Sequence, residues 1–170
     1  MKSGGGLFPV SASAFFLFFT LAAFILLAIF SLMHSVIPAK VALAPTNLAT
    51  VEIGEARLFL DVADTPLLRA RGLSGREAMD ENSGMLFIFP SSGPHTFWMK
   101  DMLIPIDIVW ISGDKVLGVL TAEPAPTGTP DDKLPRFNPP GPVDLVIELR
   151  ARRASELGIR AGQSVKILLP

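Results

Sequence analysis

The densest run of chemically capable side chains is HTFWMKDMLIPID, which places His95, Trp98, Lys100, Asp101 and Asp107 within 13 positions. On an extended backbone successive side chains alternate between faces. Trp98 and Lys100 then share one surface, Phe97 and Met99 share the other, and His95 and Asp101 stand at the corners. One reading is a small binding groove with an aromatic floor and a charged rim. The other is structural: Trp98 fills the core, and Lys100 pairs with Asp101 or Asp107 at the rim. Two further charges belong to the same question. Arg71 precedes Gly72, where an arginine either bonds the carbonyls of a helix end or holds an anion through its two-pronged guanidinium. Glu148 interrupts an apolar run, and buried carboxylates seldom lack partners. An internal Arg71–Glu148 ion pair is the expectation.

Catalytic groups are otherwise sparse. Beyond residue 40 the chain has one histidine, His95, and the whole chain has no cysteine. No serine lies in a Gly-x-Ser-x-Gly turn that could serve a Ser-His-Asp arrangement. Zinc would need nitrogen or sulfur ligands that are missing, and Asp131-Asp132 lacks the alternating oxygens of a calcium loop. No glycine-rich phosphate loop is present. The residues point to no catalytic set, no metal and no cofactor.

The elements that must carry these side chains are short. Thr50–Ile53 and Arg57–Val62 form a hairpin turned by Gly54-Glu55, with Leu58, Leu60 and Val62 alternating against Arg57, Phe59 and Asp61. Thr65-Pro66 starts a helix that runs to Arg71, where Gly72 interrupts it. Met85–Phe89, a continuous apolar run closed by Pro90, is a buried strand. Thr96–Lys100 and Ile106–Ile111 are strands joined by a turn at Pro105, and Ser112-Gly113-Asp114 turns into Lys115–Leu120. Val143–Leu149 is a strand, Arg153–Leu157 a short helix closed by Gly158, and Val165–Leu169 a final strand. The fold class expected is mainly β: an antiparallel β-sandwich or barrel over residues 50–170 with one or two short helices. Pro124–Pro142 carries seven prolines and two glycines in 19 residues, so it is neither helix nor central strand. It reads as a stiff surface loop or as a polyproline ledge for a partner.

Preceding this domain is a segment of another kind. Between Lys2 and Lys40 there is no Lys, Arg, Asp or Glu, and Ala14–Met33 reads AFFLFFTLAAFILLAIFSLM. As a helix, twenty such residues span roughly 30 Å, the hydrocarbon thickness of a bilayer. The expected organisation is a transmembrane anchor over residues 1–37, a linker over 38–49 and the β domain beyond. A retained anchor is favoured over a removed signal peptide. The apolar core is longer than a signal's, and Ala42-Leu43-Ala44 is followed by Pro45, a poor residue beside a scissile bond. The short N-terminal tail is expected to stay in the cytoplasm and the domain to lie outside the bacterial inner membrane, in the periplasm. The absence of cysteine is compatible with that compartment.

From Val41 onward there are 13 Lys and Arg against 16 Asp and Glu, a net charge of −3 with no long block of one sign. Nucleic acid is therefore not an expected partner. The expected partners are the bilayer, through residues 14–33, and a membrane protein or complex. Seven phenylalanines between Phe8 and Phe30 offer large apolar surfaces to lipid or to other helices.

ARGLSGREAMDENSGMLFIFP (Ala70–Pro90) and HTFWMKDMLIPIDIVWI (His95–Ile111) resemble the bacterial and archaeal family known as domain of unknown function 192. VIELRARRASELGIRAGQSV (Val146–Val165) is similar to that family's closing strand–helix–strand. The resemblance implies a compact, mostly β-sandwich domain exported behind a signal or anchor, and it implies no activity. It covers Arg71, Gly72, Leu73, Gly84, Met85, Phe87, Phe97, Trp98, Met99, Lys100, Pro105, Asp107 and Glu148. The tail departs from it: Arg150-Ala151-Arg152 stands where the family often has Asn-Ala-Gly, and Gly162-Gln163 where Gly-Asp is usual.

Two functional expectations follow. The leading one is a non-enzymatic, membrane-anchored module that contacts a partner protein or complex. The alternative is a small-ligand-binding or hydrolytic site built from Arg71, His95, Trp98, Lys100, Asp101, Asp107 and Glu148.

Overall fold

The computed structural model describes residues 47–170, so the anchor at 14–33 and most of the linker lie outside the described residues. Among the described residues no helix is long and apolar enough to cross a membrane.

Alternating apolar side chains set up the first hairpin. Strand β1 (Leu48–Ile53) pairs antiparallel with β2 (Ala56–Ala63), burying Leu58, Leu60 and Val62 while Arg57 and Phe59 remain exposed. Gly54 turns the chain at φ 59°, in the left-handed region that favours glycine. Helix α1 (Pro66–Arg71) begins at Thr65, whose Oγ1 accepts the Leu68 amide at 3.2 Å. It stops at Gly72, where φ is 51°. The rest of this connection crosses the sheet face and enters β3 (Ser83–Gly93) parallel to β2. This overturns the all-antiparallel expectation. Parallel neighbours require a long crossover, and residues 64–82 supply one.

The remaining strands are β4 (Phe97–Trp98), β5 (Ile106–Ser112), β6 (Lys115–Ala122), β7 (Arg136–Phe137), β8 (Val143–Arg150) and β9 (Val165–Leu168). A 3-10 turn covers Asp131–Lys133, and helix α2 covers Arg153–Glu156. Seven strands form one curled sheet in the order β6-β5-β8-β3-β2-β1-β9. Its two edges meet: Lys115 bridges Ser164, and the Val116 amide donates to the Gln163 carbonyl at 3.0 Å. The architecture is thus nearer a closed barrel than a sandwich. The expected pairing of β4 with β5 does not form. β4 has only two residues and pairs with β7, so the proline-rich loop itself provides the partner.

The curled sheet buries both faces. Leu58, Leu60, Leu86, Val109, Ile147 and Leu149 fill its interior. Phe87, Ile108, Trp110 and Val146 face outward and are covered by Leu73 of the crossover and by Phe97, Met99 and Met102. Phe97 sits edge-on to Phe87 at 4.9 Å and to Trp110 at 5.4 Å. Burial of side chains this large stabilises by roughly 1.5–3 kcal/mol each. The close fit of β3 on β8 needs Gly84, since a Cβ there would lie 2.2 Å from the Glu148 carbonyl oxygen.

Candidate functional site

The two coverings of the outer face are tied to each other. The Gly75 amide donates to the Asp101 carbonyl at 2.9 Å, and Ser74 Oγ donates to the Lys100 carbonyl at 2.9 Å. Arg69 fastens the helix to the sheet, donating from Nη1 to the Ile88 carbonyl at 2.8 Å with its guanidinium over the Phe89 ring. Between these coverings and the sheet lies a small open cleft of about 40 Å3. Arg71, Trp98, Lys100 and Glu148 line it, with Phe87, Phe97 and Met102 as apolar wall.

Glu148 is the unusual group. It sits on the outward face of β8 between Met85 of β3 and Ile108 of β5, so neither strand neighbour brings charge. It is 4 % exposed, and its Oε2 has no hydrogen-bond partner. Burial pushes its carboxyl up to about 8, because a carboxylate loses its hydration there; the Arg76 charge acts in the opposite direction without cancelling that effect. At neutral pH the group is an uncharged acid able to donate one hydrogen bond. The expected ion pair with Arg71 is not formed. Among the described residues the guanidinium of Arg71, an exposed residue, has no hydrogen bond or ion pair, although Arg71 lines the same cleft. Arg76 is instead bound to Asp61, which lies in register with Met85 and Glu148 across three strands.

Trp98 forms part of the rim rather than the core. Its chain neighbours Phe97 and Met99 turn inward and are buried, while Trp98 stays half-buried. The Arg136 guanidinium lies 4.3 Å from its ring centroid and the Lys100 ammonium 5.5 Å away. The fully buried tryptophan is Trp110. Lys100 pairs with Asp131, not with Asp101 or Asp107. That hydrogen bond, more than any other influence, raises the ammonium above its ordinary value, so Lys100 is a fixed cation and not a base poised near neutrality.

Three of the sequence candidates fall elsewhere. The His95 ring stacks on Phe89 at 3.6 Å, with Nε2 2.9 Å from the Ser91 carbonyl oxygen. Asp101, at φ 54°, is exposed and borders a neighbouring hollow with Asp131 and Leu134. Asp107 is buried one residue before Ile108 and turns to the other face of β5. Its Oδ1 accepts from Thr121 Oγ1 at 2.7 Å and from the Arg152 amide at 3.0 Å, and its Oδ2 accepts from the Ala154 amide at 2.9 Å. It caps α2 from outside, a structural role.

Sequence reasoning missed Arg76, Asp131 and Arg136, the charges that act on Glu148, Lys100 and Trp98. Asp131 and Arg136 lie in the proline-rich stretch, more than 30 residues from the side chains they meet, and no local pattern points to them.

This geometry accompanies a family assignment. The model of DUF192, described as an uncharacterised ACR, matches residues 49–167. The chain belongs to the DUF192 family. No curated protein matches it. Among solved structures, this DUF192 domain is similar to a protein of unknown function from Novosphingobium aromaticivorans DSM 12444. The identity is 28% with a TM-score of 0.59, over 70% of this chain and 83% of that one. It is also similar in fold to a candidate transcription regulator from Sinorhizobium meliloti 1021. There the identity is 24% with a TM-score of 0.60, over 70% of this chain and 91% of that one.

Proposed function

We propose that this DUF192 domain is a non-enzymatic binding module, tethered by residues 14–33 to the outer face of the bacterial inner membrane, with the Glu148 cleft as its recognition site. The observation that carries this reading is Glu148 itself. A buried carboxyl with an unpartnered oxygen, lining a cleft beside an unengaged arginine, is a group placed for something from outside. Binding is favoured over catalysis because the only lysine in the cleft is held charged by Asp131, and His95 is stacked outside it. The tether rests on the uninterrupted apolar run Ala14–Met33 and its length.

A role as accessory subunit of a membrane complex has its own support. Leu67, 79 % exposed on α1, and Leu103, 58 % exposed, are apolar side chains on the segments that cover the cleft. The test is native-size analysis of the tagged full-length protein, extracted from its own membranes in mild detergent, with mass spectrometry of co-migrating chains. A retained tether predicts that the protein resists alkaline washing of the membranes. Release into the wash would overturn the anchoring. Stoichiometric migration with a larger assembly, lost in Trp98→Ala without a change in melting temperature, establishes the cleft as the contact. Migration as a lone 18.2 kDa chain plus detergent would overturn the subunit role.

A further inference from the structure

We propose that the cleft takes a carboxylate group, held between the buried Glu148 carboxyl and the Arg71 guanidinium, with the Trp98 ring beside it. The inference rests on the binding-module reading and specifies its ligand. It follows from which groups in the cleft are already engaged. Arg69 donates to backbone carbonyls, Lys100 is paired with Asp131, and Arg76 is paired with Asp61. Arg71 is the guanidinium of the wall that no oxygen of the described residues engages. The carboxyl of Glu148 offers one O–H when protonated and repels an anion when ionised. One available cation and one O–H match a singly charged group with two acceptor oxygens, which is a carboxylate. A phosphate would bring more negative charge than the one available guanidinium offsets. The size agrees: a cleft of about 40 Å3, bounded by Phe87, Phe97 and Met102, admits a carboxylate headgroup and not a large ligand.

Among the described residues, Arg76 of the crossover is the charge that acts on Glu148. Arg71 of the crossover and Lys100 of the segment after β4 share its cleft. Met85 and Ile108 face it from β3 and β5, and Arg150, two residues along β8, is bound to Glu156. Asp61 and Asp131 reach the site only through the cations they already hold.

Such a carboxylate could be a free organic acid or the C-terminus of a peptide, and the test separates the two. The full-length protein, with its methionine methyls labelled, is titrated in detergent by NMR with propionate, an acetylated dipeptide acid, the same dipeptide as its amide, inorganic phosphate and propylammonium. Met102, in the cleft wall, is the reporter. The expected result at pH 6.5 is a saturable shift with a carboxylate and none with the amide. Propionate alone identifies a free acid, and the dipeptide acid alone identifies a chain terminus. Arg71→Ala weakens binding about ten-fold or more. Above pH 8, where Glu148 ionises, affinity falls about ten-fold per pH unit. Glu148→Gln, which cannot ionise, then binds about ten-fold tighter than the native protein at pH 9. Tighter binding of phosphate or propylammonium, or equal binding of acid and amide, overturns the carboxylate while leaving a binding cleft. No shift of Met102 with any probe overturns both.

Discussion

Replacing Glu148 by glutamine should stabilise this protein, and by an amount that depends on pH. In the unfolded chain the carboxyl ionises near 4.5, whereas in the folded domain it holds its proton to about 8. Between those values the folded state binds more protons than the unfolded state, so stability falls as pH rises. Below pH 4.5 the contribution is fully present; above pH 8 it is lost. The slope is about 1.4 kcal/mol per pH unit, which amounts to roughly 3 kcal/mol at pH 7 and about 5 kcal/mol at pH 8 and above. With only 4 % of Glu148 exposed, little solvent screening reduces these figures. Against a typical domain stability of about 5–15 kcal/mol, that is a large share.

Glutamine keeps the shape and hydrogen-bonding capacity of the neutral acid and cannot ionise. Urea unfolding of the native protein and of Glu148→Gln, run in parallel from pH 4.5 to 8.5, isolates this contribution because every other titrating group is common to both. The two stabilities should nearly coincide at the acid end and diverge by about 1.4 kcal/mol per pH unit until pH 8. A difference that stays constant across the range would refute the reasoning. It would mean that the folded carboxyl is hydrated or paired, and the cleft would lose its defining group.

Other perturbations follow from the same geometry. Arg76→Met removes the charge that opposes burial, so the Glu148 midpoint, read from the carboxyl carbon by NMR, should move above 8. Asp107→Ala leaves the Arg152 and Ala154 amides without their acceptor and should cost roughly 3 kcal/mol or more in thermal or urea unfolding; a loss under 1 kcal/mol would rule out the capping role. Arg152 sits at φ 70° at the start of α2, where glycine is unstrained. Arg152→Gly, which restores the residue of the family pattern, should therefore raise stability by about 0.5–1 kcal/mol and leave cleft binding unchanged.

Local patterns made much of the fold legible. The alternation around Leu58 and Leu60, the Thr65-Pro66 start of α1 and the Gly158 stop of α2 each place an element within a residue or two of its observed bounds. Pairing between distant segments was not legible. Nothing in Ala63 or Ser83 announces that β2 and β3 run parallel, because apolar strands look the same whichever neighbour they meet. For the same reason β4 and β7, with two residues each, could not be matched from sequence. The site was legible as residue types and not as roles. Arg71, Trp98, Lys100 and Glu148 do share a cleft, while Asp107 draws attention for the same reason as Glu148, as an acid in an apolar strand. Only the partners separate them, and those partners come from α2 and β6 for Asp107 and are missing at Oε2 of Glu148.

That contrast sharpens the functional argument. One small barrel buries two acids and treats them oppositely. Asp107 receives three hydrogen bonds and contributes to the frame. Glu148 keeps an oxygen unmet while two guanidiniums stand nearby, one bound to Asp61 and the other bound to none of the described residues. A leucine or methionine on β8 would remove that cost, whereas a bound partner for the acid would offset it. If the use is a bound carboxylate, linkage makes the coupling reciprocal. A ligand that prefers protonated Glu148 must raise the midpoint of that group by about one pH unit for each ten-fold excess over its dissociation constant. Titrating the Glu148 carboxyl carbon at increasing propionate therefore measures binding and proton uptake in one experiment. A midpoint that stays near 8 while Met102 saturates would show that the ligand ignores the acid, and Arg71 alone would then account for recognition.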